Sequence, residues 1–203
     1  STAWHPEFAD LNNDGITDLF VTKGNVEGQA DYASRDPNNL LLGTVDGTFT
    51  EQGEAAGLVR FERGRGATAA DLNLDGLLDI VVVNRAAPVT VWRNAGAGDA
   101  AAPAALGGWV GIRVTQPAPN TAAIGGWLEV RRADGVIRYE LNVGGGHASG
   151  DLGWLHVGLG AAAEVDVRVR WPDGSASDWA TVRSATFVII DRATTEPVVW
   201  KPN

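Results

Sequence analysis

Two loops rich in side-chain oxygen share the spacing D-x-N-x-D-G-x-x-D. The first loop carries Asp10, Asn12, Asp14 and Asp18. The second loop repeats the pattern with Asp71, Asn73, Asp75 and Asp79. Calcium takes about six to eight oxygen ligands, and a short loop supplies them when its alternate residues turn toward one ion. The spacing therefore predicts a cation site in each loop.

The backbone completes both predicted sites, because the carbonyls of Ile16 and Leu77 stand at the seventh loop position. Gly15 and Gly76 allow the sharp turn that such a loop needs. An EF-hand would place Glu at position twelve between helices, but that position is Val21 in the first loop and Val82 in the second. We therefore predict two Ca²⁺ sites in β-hairpins, with Mg²⁺ as the weaker candidate. Asp, Asn and Gly also form ordinary turns, but one pattern occurring twice argues against that alternative.

Residues that suggest catalysis are scattered. His5, His147 and His156 lack the spacing of a metal site. His147 stands in a Gly-rich segment and is a candidate ligand-binding residue, although a structural turn is the favoured interpretation there; His156 is predicted to pack in or near the core. No G-x-S-x-G motif is present, and Ser149 has no base or acid in a recognisable order. We predict that the chain is not an enzyme; a glycosidase would need a second carboxylate pair.

Five of the eight Trp residues form two groups of interest. Trp109, Trp127 and Trp171 lie in or beside alternating strands and are predicted to be core residues. Trp179 and Trp200 lie near turns and the chain end. Because exposed aromatic faces stack on sugars, these last two are candidate carbohydrate-binding residues.

Composition narrows the range of partners. The net charge of −9 over 203 residues disfavours nucleic acid and suits cations. No apolar run approaches the roughly 20 residues of a membrane span. The chain has no Cys, and hence no disulfide framework. It has no Met and begins at Ser1, which we interpret as a processed chain or a fragment.

The sequence predicts two all-β parts. The second loop follows the first after 61 residues (Asp10 to Asp71), a period that suits a four-stranded propeller blade. We therefore expect two blades over 1–95 and a side-chain-poor linker over 96–108. Alternating segments over 109–203, such as Val165–Trp171, predict a β-sandwich or open barrel.

The loops and their flanks resemble the FG-GAP/VCBS repeats of integrin-type β-propellers. The flanking residues are Asn39–Leu42, Asp46–Phe49, Ala56–Leu58, Arg63–Gly66 and Trp92–Asn94. The rest of the chain resembles the ASPIC/UnbV domain of bacterial proteins similar to cartilage acidic protein. Its matching stretches include Trp109–Val114, His156–Gly160 and Val169–Gly174.

The resemblance implies a secreted or cell-surface calcium-binding protein that acts in adhesion or as a scaffold. Its expected partner is extracellular matrix, a surface protein or a glycan, with no nucleic acid and no membrane span. Two blades cannot close a propeller, so we expect self-association through open blade edges or a longer propeller. The alternative function is a carbohydrate-binding module of a larger extracellular protein.

Overall fold

The structure is a computed structural model that describes residues 2–26, 36–104, 106–133, 135–194 and 196–202. Every regular element in this described part is a β-strand. The strands are β1 (Ala3–Ala9), β2 (Asp18–Lys23), β3 (Asn39–Gly43), β4 (Phe49–Glu51), β5 (Gly64–Ala70), β6 (Asp79–Asn84), β7 (Thr90–Trp92), β8 (Gly108–Thr115), β9 (Trp127–Arg132), β10 (Gly135–Glu140), β11 (Leu155–Gly160), β12 (Glu164–Arg170), β13 (Ala180–Arg183), β14 (Thr186–Asp191) and β15 (Val198–Trp200). The predicted all-β class is confirmed.

The chain divides into two compact units, and neither is one continuous segment. The first unit comprises 1–12, 16–105 and 144–151. The second comprises 13–15, 106–143 and 152–203. The sequence did not predict the two short exchanged segments.

Two open antiparallel sheets form the first unit. Strands β1 to β4 make a four-stranded meander, and β5 to β7 make a three-stranded one. Their apolar side chains share one core, in which Phe20 and Val82 are almost completely buried. Pro6 is tolerated in β1 because β1 is an edge strand and a neighbour is needed on one side only.

Two four-stranded sheets form the second unit, in the orders β10-β9-β12-β13 and β11-β8-β14-β15. All strand pairs are antiparallel except β8 with β14. Strand β12 alternates buried Val165, Val167 and Val169 with charged residues that point outward. Its valines join side chains from both sheets in one core, as in the predicted sandwich.

Candidate functional site

Both Asp-rich loops connect the two strands of a hairpin. The first joins β1 to β2 and the second joins β5 to β6. The strand bounds repeat with the same 61-residue offset as the loops, from Ala3–Ala9 to Gly64–Ala70 and from Asp18–Lys23 to Asp79–Asn84. The sequence repeat is therefore a repeat of structure.

The backbone bends in the same way in the two loops. The sixth positions, Gly15 and Gly76, have φ values of 91° and 85°. The fourth positions also lie in the left-handed region, with φ of 59° at Asn13 and 62° at Leu74. Leucine rarely adopts this conformation, so the loop shape is imposed by its surroundings and not by local preference alone.

The last Asp of each loop is a buried anchor for the backbone. Asp18 accepts hydrogen bonds from the N–H groups of Leu11, at 2.8 Å, and Gly43, at 2.9 Å. Asp79 accepts equivalent bonds from Leu72, at 3.2 Å, and Asn94, at 2.8 Å. Each carboxylate therefore closes its loop and ties it to the third strand of the sheet or to the residues that follow that strand.

The first carboxylate of the second loop curls the chain. One oxygen of Asp71 accepts the N–H of Asp75, at 3.0 Å, and the other accepts the N–H of Gly76, at 2.7 Å. In the curled loop Asn73 and Asp75 lie close together, and the Asn73 amide donates a hydrogen bond to the Asp75 carboxylate at 2.8 Å. The predicted ligands at positions one, three and five thus converge. Burial raises the pKa of Asp71, against the opposing effect of its backbone hydrogen bonds.

The first loop extends into both units. Asp10 is buried and Asp14 is exposed. Residues 13–15 belong to the second unit, where the Asn13 side-chain oxygen lies 2.6 Å from Nε2 of His156. The ring of His156 stacks on Trp109, and burial lowers its pKa to about 4.

The loops supply the hard oxygen donors that calcium prefers, and the curled second loop brings three of them together. Among the described residues, however, no three His, Cys, Asp or Glu side chains form a group that could hold a metal. Arg93 also reaches to 3.5 Å from Asp75. The residues fit calcium by donor type and loop shape, with part of each ligand set expected from Asn and backbone oxygens.

A family model for FG-GAP-like repeats matches residues 10–82, which begin at the first loop and extend past the second. A model described as ASPIC and UnbV matches residues 116–197. The chain joins an FG-GAP-like repeat region to an ASPIC and UnbV domain. A search of curated proteins found no match.

FG-GAP-like repeats are typical of extracellular proteins, and the two families together suggest an extracellular adhesion-type module. Within the part of the chain that the structure describes, no helix has the length and apolar character needed to cross a bilayer. We refer below to the first unit as the FG-GAP-like unit and to the second as the ASPIC unit.

The other candidate binding residues do not form one site. His147 is exposed in the FG-GAP-like unit, with its ring 4.9 Å from that of Trp4. In the ASPIC unit, Trp200 packs against Trp154 and Phe187. Two guanidinium groups lie over the ring of Trp179.

The prediction for the core Trp residues is partly confirmed. Trp109 and Trp171 are buried, at 8% and 6% exposed. Trp127 was wrongly predicted as a core residue and is 37% exposed. The reason is its register, since Leu128 and Val130 occupy the inward positions of β9.

The structure also reveals a hydrogen-bonded chain that the sequence did not indicate. Ser149 Oγ lies 2.7 Å from Nδ1 of His5, and Nε2 of His5 lies 2.6 Å from the Glu7 carboxylate. All three residues belong to the FG-GAP-like unit. No sequence signal connects Ser149 to a histidine 144 residues away.

Proposed function

We propose that this chain is an extracellular adhesion or scaffold module whose two hairpin loops bind Ca²⁺. The family matches support the extracellular adhesion-type role. The observation that carries the calcium proposal is the repeated hairpin loop, with the same left-handed positions and the same anchoring Asp in both copies. Secretion or display at the cell surface is part of the proposal.

The ligands would come from alternate loop positions. In the first loop they are Asp10, Asn12, Asp14, the Ile16 carbonyl and Asp18. In the second they are Asp71, Asn73, Asp75, the Leu77 carbonyl and Asp79. A bound cation would supply the positive charge that offsets the repulsion between these carboxylates.

Isothermal titration of the metal-free chain with Ca²⁺ tests this proposal. We expect two ions per chain for the native sequence, one for Asp75→Ala and one for Asp14→Ala. Asp46→Ala is the matched control, because Asp46 also precedes a Gly in a tight turn but lies outside both loops. No saturable binding, or the same stoichiometry in every variant, would refute the calcium sites.

We also propose that the module has no catalytic step. The Ser149–His5–Glu7 chain has the composition of a nucleophile, a base and an acid, but His5 is only 1% exposed. A catalytic base must also return its proton to a leaving group, and a ring buried to this extent cannot reach one. The chain of hydrogen bonds therefore has a structural role.

Self-association through sheet edges is a further part of the proposal. Strand β7 forms one edge of a three-stranded sheet, and Val89 and Val91 at this edge are more than half exposed. An open edge presents backbone groups that a strand from another chain can pair with. Light scattering at increasing protein concentration should show a mass above that of one chain, and Val91→Lys should lower it. A constant monomer mass would exclude this part.

The alternative, a carbohydrate-binding module that uses Trp179 and Trp200, receives less support. The ring of Trp200 is covered by neighbouring aromatics, and that of Trp179 lies under two arginines. Neither offers the open aromatic surface on which a neutral sugar stacks. Binding of neutral glycans that is lost in Trp200→Ala would reverse this preference.

A further inference from the structure

One face of the ASPIC unit concentrates arginine on an otherwise acidic chain. The face is the outward side of the sheet β10-β9-β12-β13. Its central residues are Arg131, Arg138, Arg168, Arg170, Trp127 and Trp179, which we call the arginine face. Strand register aligns them, because Arg138 and Arg168 both pair with Glu129 on β9, and Arg170 pairs with Trp127.

Glu129 organises this face from beneath. Its side chain is 0% exposed although it points away from the core. It contacts Nε of Arg138 at 2.8 Å, Nε of Arg168 at 2.5 Å and Nε of Arg170 at 3.6 Å. The hydrogen bond from Arg138, together with Arg168, lowers the pKa of Glu129 against the effect of desolvation. Three guanidinium groups are therefore fixed around one buried carboxylate.

Most N–H donors of the three arginines around Glu129 do not contact that carboxylate. A guanidinium has five N–H donors, and all three contacts with Glu129 use Nε. Within the described residues, the terminal amino groups of Arg138 and Arg168 make no hydrogen bond to the protein. The side chains of Arg138 and Arg170 are 60% and 41% exposed. Their remaining donors are thus available to a ligand.

Positive charge predominates at the centre of the face. Asp166 pairs with Arg131 at 3.2 Å, and Glu129 is shielded from solvent by the arginines above it. The four arginines therefore exceed the two carboxylates by two charges. Glu140 ends the edge strand β10 opposite Trp127, and Glu164 begins the inner strand β12 opposite Arg183 on β13. With Glu140, Glu164 and Arg183 the face has five arginines and four carboxylates, a net charge of +1.

Aromatic rings lie among the arginines. Arg131 and Arg168 are 3.9 Å and 4.5 Å from the centroid of the Trp179 ring. This cation–π contact limits the freedom of both guanidinium groups. Trp127 is partly exposed beside Arg170 and can contact an apolar sugar face.

We propose that the arginine face binds an acidic polysaccharide through its carboxylate or sulfate groups. Arginine is the side chain best suited to such oxyanions, because its planar fork donates two parallel hydrogen bonds. An exposed sheet face can hold an extended polymer chain, and Trp127 provides contact with the sugar ring. This inference assigns a partner to the adhesion module proposed above and takes its extracellular setting from that proposal, but it does not depend on calcium.

The test uses the full chain and four polymers: two acidic polysaccharides, one neutral polysaccharide and one nucleic acid. Affinity electrophoresis through alginate or dextran sulfate should retard the protein, whereas neutral dextran should not. The retardation should decrease with salt, as binding to a polyanion requires. It should persist in EDTA, so that failure of the calcium sites and failure of this inference can be told apart. Single-stranded DNA serves as a polyanion without pyranose rings.

The decisive variant is Arg138→Gln with Arg170→Gln, in which the amide side chains can still donate to Glu129. We expect the affinity for alginate to fall by roughly tenfold, since two charge-assisted contacts are lost. The matched control is Arg113→Gln, because Arg113 is an exposed arginine on β8 in the other sheet of the same unit. Trp127→Ala should weaken polysaccharide binding, and melting curves check that each variant is folded.

Several results would overturn the inference. One is the absence of retardation by both acidic polymers at low salt. Another is an equal loss in the Arg113 control, which would show that net charge and not this face attracts the polymer. Binding of DNA as tightly as alginate, unaffected by Trp127→Ala, would show a general polyanion surface and not a polysaccharide site.

Discussion

Burial of His156 makes the stability of the chain depend on pH. Its folded pKa of about 4 lies below the ordinary value of 6.5 because the ring is desolvated. The stability that comes from a neutral ring is complete above pH 6.5 and decreases as the pH falls toward 4. At pH 5 the unfolded chain binds a proton here and the folded chain does not, which costs the folded state about 2 kcal/mol.

Urea unfolding at pH 7 and pH 5 measures this cost. The native chain should lose more stability between the two values than His156→Gln, which cannot titrate but can still hydrogen bond to Asn13. The carboxylates titrate in both proteins, so only the difference reports on His156. Equal losses would show that the ring is solvated.

The Ser149–His5–Glu7 chain gives a second prediction at the level of residues. If it is structural, Ser149→Ala removes one partly buried hydrogen bond and should lower the free energy of unfolding by about 1 kcal/mol. A purely structural hydrogen bond leaves Ser149 an ordinary hydroxyl, so Ser149 should not react with a fluorophosphonate probe. Labelling of Ser149 that is lost in His5→Gln would instead establish an activated nucleophile.

The proposed ligands of each hairpin differ in how much they also hold the backbone, and the last Asp of each loop does both. In calcium-free buffer, Asp79→Ala leaves the N–H groups of Leu72 and Asn94 without their acceptor and should cost about 2 to 4 kcal/mol. Asp75→Ala alters a more exposed side chain and should cost less than about 1 kcal/mol under the same conditions. Urea unfolding in EDTA distinguishes the two. Equal costs would mean that Asp79 is not the anchor.

Strand prediction succeeded where side-chain pattern decides the structure. Strand β12 was predicted nearly to the residue, because its apolar and charged residues alternate. Strand β5 was missed, since its sequence GRGATAA lacks bulky side chains. Close packing explains why β5 has small residues, because a Cβ on Gly66 would collide with the carbonyl of Ala148. Such a contact cannot be inferred from local sequence.

The Asp-rich loops and the arginine face also differ in how far the sequence alone could predict them. The repeated loops could be found in the sequence because the proposed ligands of each lie within nine consecutive residues. The arginine face was not, because it depends on the pairing of β9 with both β10 and β12. A shift of one residue in either register would turn those arginines toward the core. The same uncertainty led to the wrong prediction for Trp127.

Over the whole molecule, calcium should stabilise the FG-GAP-like unit more than the ASPIC unit. A site whose dissociation constant is about tenfold to a hundredfold below the calcium concentration adds roughly 1.4 to 2.7 kcal/mol. All the proposed ligands of the second loop, and all those of the first loop except Asp14, belong to the FG-GAP-like unit, whereas the ASPIC unit has its own core of valines. Calcium should therefore slow amide hydrogen exchange in β2 and β6 more than in β12.

Exchange mass spectrometry in calcium, magnesium and EDTA tests this expectation. Calcium should protect more than magnesium, and Asp75→Ala should abolish the protection in β6. Uniform protection of both units, or none in either, would contradict the proposed location of the ions.

The left-handed residue at the fourth loop position has a consequence for engineering. The two hairpins are copies of one repeat, so their residues can be compared position by position. They differ at the fourth loop position, where the positive φ suits few side chains. One copy has Asn13, which accepts positive φ readily, and the other has Leu74, which does not. Leu74→Asn should raise the free energy of unfolding by about 0.5 to 1 kcal/mol, measured in EDTA. The stabilising residue for position 74 is therefore the one already present 61 residues upstream, Asn13.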